Sequence, residues 1–130
     1  MLRGNPLTQT RIMLVEDRAD FRRLMAALLG RQPDLEVVAQ AGSLAEARRQ
    51  ATTLRFDVVV LDIGLPDGNG ADLIGELREA NPGVAMLVLS ASLDPENLER
   101  VTEAGADEIL DKFAAPDEIL DAIGRIRAEK

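Results

Sequence analysis

The stretch Val58-Val59-Val60-Leu61-Asp62-Ile63-Gly64-Leu65-Pro66 decides the fold. Four apolar residues in succession, three of them β-branched, predict a strand buried on both faces, as a parallel sheet sandwiched between helices requires. The run stops on a carboxylate, Asp62, just before the turn residues Gly64 and Pro66. Asp62 is therefore expected at the carboxyl end of a buried strand, the edge where open α/β sheets bind their ligands. A lone acid there would be no more than the entry to a solvated loop. Its meaning depends on what else the chain brings to that edge.

Working outward, the same unit of apolar strand, polar end and amphipathic helix recurs. Residues 1–10 mix Gly, Pro and polar residues without a period and read as a loose leader; order is expected from Arg11, in a domain spanning 11–130. Ile12–Val15 predicts a short buried strand ending in Glu16 and Asp17. The following helix carries Phe21, Leu24, Met25, Leu28 and Leu29 on one face, expected to be core, with Gly30 near its stop. Leu35–Ala39 is a second strand, and Ser43 to Glu46 has the form of a capping box opening a helix that runs through Ala47, Ala51 and Leu54. Past the central strand, residues 64–70 read as a loop, and Leu73, Ile74 and Leu77 mark a third helix. Ala85–Leu89 is a fourth strand terminating in Ser90-Ala91-Ser92. Asp94 and Pro95 then supply a cap and a first-turn proline for a helix with Leu98 and Val101 inward, closed by Gly105. Glu108–Asp111 is a weaker fifth strand followed by Lys112, and Pro116 opens a last helix with Ile119, Leu120, Ile123 and Ile126 on one face.

Five strands alternating with five helices imply right-handed crossovers and one parallel sheet. The expected class is α/β, a flavodoxin-like doubly wound sheet of order 2-1-3-4-5, with strands one and three adjacent and their helices on opposite faces.

Composition narrows the chemistry. A chain of 130 residues with 46% apolar and 29% charged content is one ordinary globular domain. It has neither cysteine nor histidine, which removes disulfides, thiol nucleophiles, imidazole bases and soft metal sites. Any reaction must use carboxylates, hydroxyls, Lys or Arg, and any metal must be hard and oxygen-bound. With 23 acidic against 15 basic residues the net charge is −8, so this domain is not expected to grip nucleic acid. The lack of a long apolar run and of a signal-peptide pattern makes a cytoplasmic location, with no membrane partner, the expectation.

In the expected topology the polar strand ends are neighbours: Glu16 and Asp17, Asp62, Ser90 and Lys112. Converging carboxylates raise one another's pKa unless a cation joins them, and with few protein oxygens and no calcium-loop pattern the best cation is Mg²⁺. A carboxylate nucleophile at Asp62, a hydroxyl at Ser90 and an ammonium at Lys112 suit phosphoryl transfer, in which charge spread over three oxygens needs neutralising. Singly, Ser90 reads equally as a strand-end hydroxyl, Lys112 as a snorkelling cation and Glu16-Asp17 as partners of a helix dipole.

As a set, Val15-Glu16-Asp17, Leu61-Asp62-Ile63-Gly64-Leu65-Pro66-Asp67-Gly68-Asn69-Gly70, Leu89-Ser90-Ala91, and Gly105-Ala106-Asp107 leading to Lys112 resemble the receiver domains of two-component response regulators, in order and spacing. Ala39-Gln40-Ala41-Gly42 resembles the subfamily that often carries a helix-turn-helix output domain. The resemblance implies phosphorylation of Asp62 by a sensor histidine kinase or phosphotransfer protein, and a Mg²⁺ site of Glu16, Asp17, Asp62 and the backbone carbonyl of Gly64. It also implies phosphoryl binding by Ser90 and Lys112, with Ala91 small enough to leave room. Two departures stand out. Ile109 occupies the position where many receivers carry a switching aromatic, and Phe113, where proline is common, predicts a trans bond after Lys112.

Signalling is then expected through the surface of the fourth helix, fifth strand and fifth helix, to an output domain, a partner protein or a second copy. The sequence leaves open a free-standing receiver and a segment of a longer regulator. Two other classes stay in view: an unphosphorylated pseudo-receiver, and a phosphatase of the haloacid dehalogenase type. The phosphatase wants a second Asp two residues after the nucleophile, where this chain has Gly64.

Overall fold

A computed structural model describes residues 9–92 and 94–130, so most of the expected leader lies outside the described residues. The elements are β1 (Thr10–Val15), α1 (Ala19–Gly30), β2 (Leu35–Ala41), α2 (Leu44–Ala51), β3 (Val58–Asp62), α3 (Gly70–Ala80), β4 (Ala85–Ser90), α4 (Pro95–Ala104), β5 (Glu108–Asp111) and α5 (Pro116–Ala128). All five strands pair in parallel, in the order β2-β1-β3-β4-β5. This is the expected doubly wound sheet, with β3 at its centre.

Alternation along each strand sorts the core into two halves. Ile12, Leu14, Val58, Val60, Leu87 and Leu89 point to one face, where Met25 and Leu29 of α1 and Ile119, Ile123 and Ile126 of α5 cover them. Met13, Val15, Val59, Leu61, Met86 and Val88 point to the other, under Leu44 of α2, Leu73, Ile74 and Leu77 of α3 and Val101 of α4. Every residue of β3 from Val58 to Leu61 is fully buried, each contributing about 1.5–3 kcal/mol of transfer free energy. A charge at Val60 would break the sheet from its middle.

Local chemistry sets the helix ends. Ser43 Oγ accepts from the Glu46 N–H at 3.1 Å, and Asp94 accepts from the Asn97 N–H at 2.9 Å ahead of Pro95. Gly105 closes α4 in the left-handed region at φ 115°, where a side chain would be strained. Gly70 opens α3 flush against β3: a Cβ there would lie 2.8 Å from Ile63 Cα and 2.9 Å from Leu61 Cδ1. That close approach lies against the backbone of Asp62 and Ile63.

Several boundaries differ from the sequence reading. β1 begins at Thr10 rather than Ile12, and the Thr10 N–H bonds to the Asp34 carbonyl at 2.8 Å, so order also starts before Arg11. β2 continues to Ala41, two residues past Ala39, along its ladder with β1. α2 stops at Ala51 and not Leu54; the hydroxyls of Thr52 and Thr53 turn back onto the carbonyls of Arg49 and Gln50, competing with further helix. The segment after Asp62 is not a plain loop, since Gly64–Leu65 pairs antiparallel with Gly68–Asn69. Leu24 is the largest correction. It was expected in the core, yet it is 71% exposed, and beside it Phe113 is 73% exposed.

Candidate functional site

The sheet register brings the polar strand ends together. Val15 is level with Leu61, so Glu16 follows β1 beside Asp62; Asp62 is level with Leu89; and Ser90 is level with Asp111, putting Lys112 one step on. The ladder persists past the formal ends, with Glu16 N–H bonded to the Ala41 carbonyl and Lys112 N–H to the Ser90 carbonyl, both at 2.9 Å. The two-residue alternation also decides which side chains meet. Glu16, Asp62 and Lys112 share the phase of Leu14, Val60 and Leu110, on the α1 and α5 side, whereas Ser90 and Ile109 share the phase of Val88.

The result is a buried ionic cluster. Lys112 Nζ lies 2.9 Å from Glu16 Oε1 and 3.0 Å from Asp62 Oδ2. Lys112 is 7% exposed, Glu16 2% and Asp62 9%. Burial alone would lower the Lys112 pKa, but its bonds to Glu16 and Asp62 outweigh this and raise it, so the amine stays charged. Burial pushes the Glu16 carboxyl up, against the lowering effect of the Arg18 N–H and of Lys112. Each oxygen of the two buried carboxylates has a partner: Glu16 Oε2 accepts from Arg18 N–H at 2.9 Å, and Asp62 Oδ1 from Gly64 N–H at 3.1 Å. Arg22 donates to the Glu16 carbonyl at 2.7 Å, pinning the turn that carries Glu16 and Asp17.

Asp17 is exposed at the rim and completes the acidic group. One oxygen each from Glu16, Asp17 and Asp62 lie within 4.8 Å of one another. Three hard carboxylate donors at this spacing fit a divalent cation that prefers oxygen and keeps much of its hydration. On the α3 and α4 side of Asp62 lies a cavity of about 240 Å³ lined by Asp62, Gly64, Asn69, Ser90, Ala91 and Ser92. Asp62 thus has an ammonium on one side and open space on the other. Ser90 borders that space, but its hydroxyl donates to the Ser92 carbonyl at 2.8 Å and accepts from the Ser92 N–H at 3.1 Å. Ile109 packs half-buried against the core on the α4 side. The bond between Lys112 and Phe113 is trans, as expected.

The family model for the response regulator receiver domain matches residues 12–124. The chain is a response regulator receiver domain. It is 41% identical over 96 residues to the DNA-binding transcriptional activator DevR/DosR of Mycobacterium tuberculosis, a match covering 74% of this chain and 44% of that protein. It is 37% identical over 112 residues to the transcriptional regulatory protein UhpA of Salmonella typhimurium, covering 86% of this chain and 56% of the relative. This receiver therefore spans about half the length of these curated relatives. Among solved structures, a LuxR-family two-component response regulator from Aurantimonas superposes with a TM-score of 0.87 at 30% identity, over 94% of this chain and 87% of that one. A CheY-like receiver domain from Methanospirillum hungatei, at 24% identity and TM-score 0.85 over 93% and 95% of the two chains, shares the fold. No described helix of the receiver is long and apolar enough to cross a membrane.

Sequence reasoning named the acids, the hydroxyl and the lysine, and the receiver brings all of them to one rim. It did not see that Lys112 itself neutralises two of the acids, nor that Arg18 and Arg22 hold the acidic turn. The first was readable from strand phase, because Glu16, Asp62 and Lys112 all fall on the same side of the alternation.

Proposed function

We propose that Asp62 accepts a phosphoryl group from the phosphohistidine of a sensor histidine kinase or phosphotransfer protein, in a Mg²⁺-dependent reaction. The single observation carrying this reading is the state of the Asp62 carboxylate. It is nine-tenths buried and held by Gly64 N–H and Lys112 Nζ, beside two further acids and an open cavity. Glu16, Asp17, Asp62 and the Gly64 carbonyl are the groups that would hold Mg²⁺, with Glu16, the most deeply buried of the three acids, acting through water. When bound, the ion supplies neutralising charge for the phosphoryl oxygens.

In the transfer, an Asp62 oxygen forms a bond to phosphorus as the phosphorus–nitrogen bond of the donor breaks, and the departing imidazole keeps the electron pair. Lys112 stabilises the charge on one phosphoryl oxygen by exchanging its bond to Asp62 Oδ2 for one to the phosphoryl group. Ser90 takes another oxygen by redirecting its hydroxyl hydrogen away from the Ser92 carbonyl. That one neutral bond is worth about 0.5–1.5 kcal/mol, less than a charge-assisted bond of about 1.5–3 kcal/mol, so the exchange runs toward the phosphoryl group. Since Ser90 ends β4 and Lys112 follows β5, both exchanges pull on the segments flanking α4. The surface of α4, β5 and α5 is the signalling face, presented to an output domain, a partner protein or a second copy. A full shift between two states needs about 5.5 kcal/mol, within reach of several such contacts. The domain catalyses only its own phosphorylation and dephosphorylation, and a cytoplasmic location belongs to the same proposal.

The test is incubation with Mg²⁺ and acetyl phosphate followed by intact-mass measurement. A phosphoryl-sized gain that disappears in Asp62→Asn is expected. A gain that survives the substitution refutes the assignment, and no gain in the wild type favours an unphosphorylated interaction module.

A further inference from the structure

Two of the three N–H donors of Lys112 are taken by Glu16 and Asp62, and an aromatic ring lies beside the same ammonium. Lys112 Nζ lies 4.9 Å from the ring centroid of Phe21, inside the distance at which a ring face attracts a cation. Phe21 in turn meets Phe113 edge to face, with centroids 6.2 Å apart and planes at 82°. Phe113 is about three-quarters exposed to solvent. A continuous line of contact therefore runs from Asp62 through Lys112 and Phe21 to the outer surface of α1 and the connection between β5 and α5. Beyond Phe21 lies a cavity of about 200 Å³ that also borders Arg18, Asp20 and Lys112. Without the ring, the ammonium could swing into that space and find Asp20.

We propose that Phe21 is a positioning residue for Lys112, and that Phe113 carries the state of the phosphorylation site to the surface. The inference rests on the reading of Asp62 as phospho-acceptor. It gives this receiver an aromatic element on the α1 side of the sheet, opposite the α4 side where Ile109 offers none. A packing role alone is the competing account, since Phe21 also lies against the core half covered by α1 and α5. The two separate by chemistry: leucine preserves apolar contact but has no ring face, whereas tyrosine keeps the ring.

The experiment compares initial rates of Asp62 phosphorylation by acetyl phosphate and Mg²⁺ in wild type, Phe21→Leu, Phe21→Tyr and Phe113→Leu. The expected slowing is about tenfold for Phe21→Leu, about threefold for Phe113→Leu and less than about twofold for Phe21→Tyr. Phe113→Leu changes an exposed side chain, so it keeps the test valid should Phe21→Leu unfold. The second readout uses the chain's three phenylalanines, Phe21, Phe56 and Phe113, with ring-labelled protein in aromatic NMR. Mg²⁺ with beryllofluoride is expected to shift Phe21 and Phe113 and to leave Phe56, which precedes β3 at the opposite edge, unmoved. In Phe21→Leu the Phe113 signal should stop responding. Equal slowing by Phe21→Leu and Phe21→Tyr, or a silent Phe113 in a protein that still gains phosphate, overturns the relay and leaves the Asp62 reading intact. A wild type that gains no phosphate overturns both.

Discussion

Replacing Lys112 with methionine tests the ionic cluster most sharply. Methionine keeps the length and apolar stem of lysine but leaves Glu16 and Asp62 facing each other without the ammonium that now sits 2.9 and 3.0 Å from them. Both acids are at least nine-tenths buried, and removing one partner from a buried charge set costs about 3–5 kcal/mol. At a domain of this size that corresponds to a fall in Tm of about 10–20 °C. The assay is thermal unfolding by circular dichroism in chelator and again in excess Mg²⁺. A cation bound at one hundred times its Kd restores about 2.7 kcal/mol. The variant should therefore gain more from Mg²⁺ than the wild type, whose lysine already neutralises the site. The pH dependence has a definite sign. The folded Glu16 carboxyl is already raised by burial, and loss of Lys112 raises it further, so the folded state binds more protons than the unfolded chain. The deficit of the variant should shrink as pH falls through that raised value. A variant as stable as the wild type in chelator, or one that gains no more from Mg²⁺, would refute the reasoning.

Three other substitutions probe separate parts of the account. Asp17→Asn should weaken Mg²⁺ binding at least tenfold by isothermal titration, while stability changes by less than about 0.5 kcal/mol because Asp17 is exposed. Gly70→Ala should cost about 1–3 kcal/mol in urea unfolding and also slow phosphorylation, since the new Cβ presses on the backbone beside Asp62. Asp107 accepts from Met86 N–H at 2.8 Å and Arg78 at 2.9 Å and pairs with Lys130 at 3.1 Å. Burial would raise its carboxyl, but these partners outweigh burial and depress it. Its contribution is thus complete above the ordinary aspartate range and lost as pH falls through the depressed value. Asp107→Asn should lower stability near neutral pH by about 1–3 kcal/mol, with the difference from wild type closing in acid.

Much of the fold could be read because its three central strands are buried on both faces. Val58–Leu61 and Ala85–Leu89 have no polar residue to blur them, and each is followed by turn or cap chemistry that marks the next helix. Phe21, Leu24, Met25 and Leu28 show the limit of that method. Helical spacing gives a stripe but not its width: Met25 and Leu29 are buried in the core shared with the sheet and α5, and Leu24 is left outside. The end of α2 was hidden because Leu54 continued the apolar period, although two threonine hydroxyls had already diverted the backbone. At the site, residue types at strand ends marked which side chains share one rim. The pairing of Lys112 with Glu16 spans 96 positions, so only the sheet register and the strand phase make it visible.

The central claim, that Asp62 takes the phosphoryl group, is tested most directly by reduction. Borohydride converts an aspartyl phosphate to homoserine, and peptide sequencing by mass spectrometry then locates the change. After exposure to phosphorylated kinase and Mg²⁺, homoserine is expected at position 62 and at no other acid. Homoserine at Asp17 or Glu-derived alcohol at Glu16, or an unaltered Asp62 in protein that carries phosphate, would contradict it.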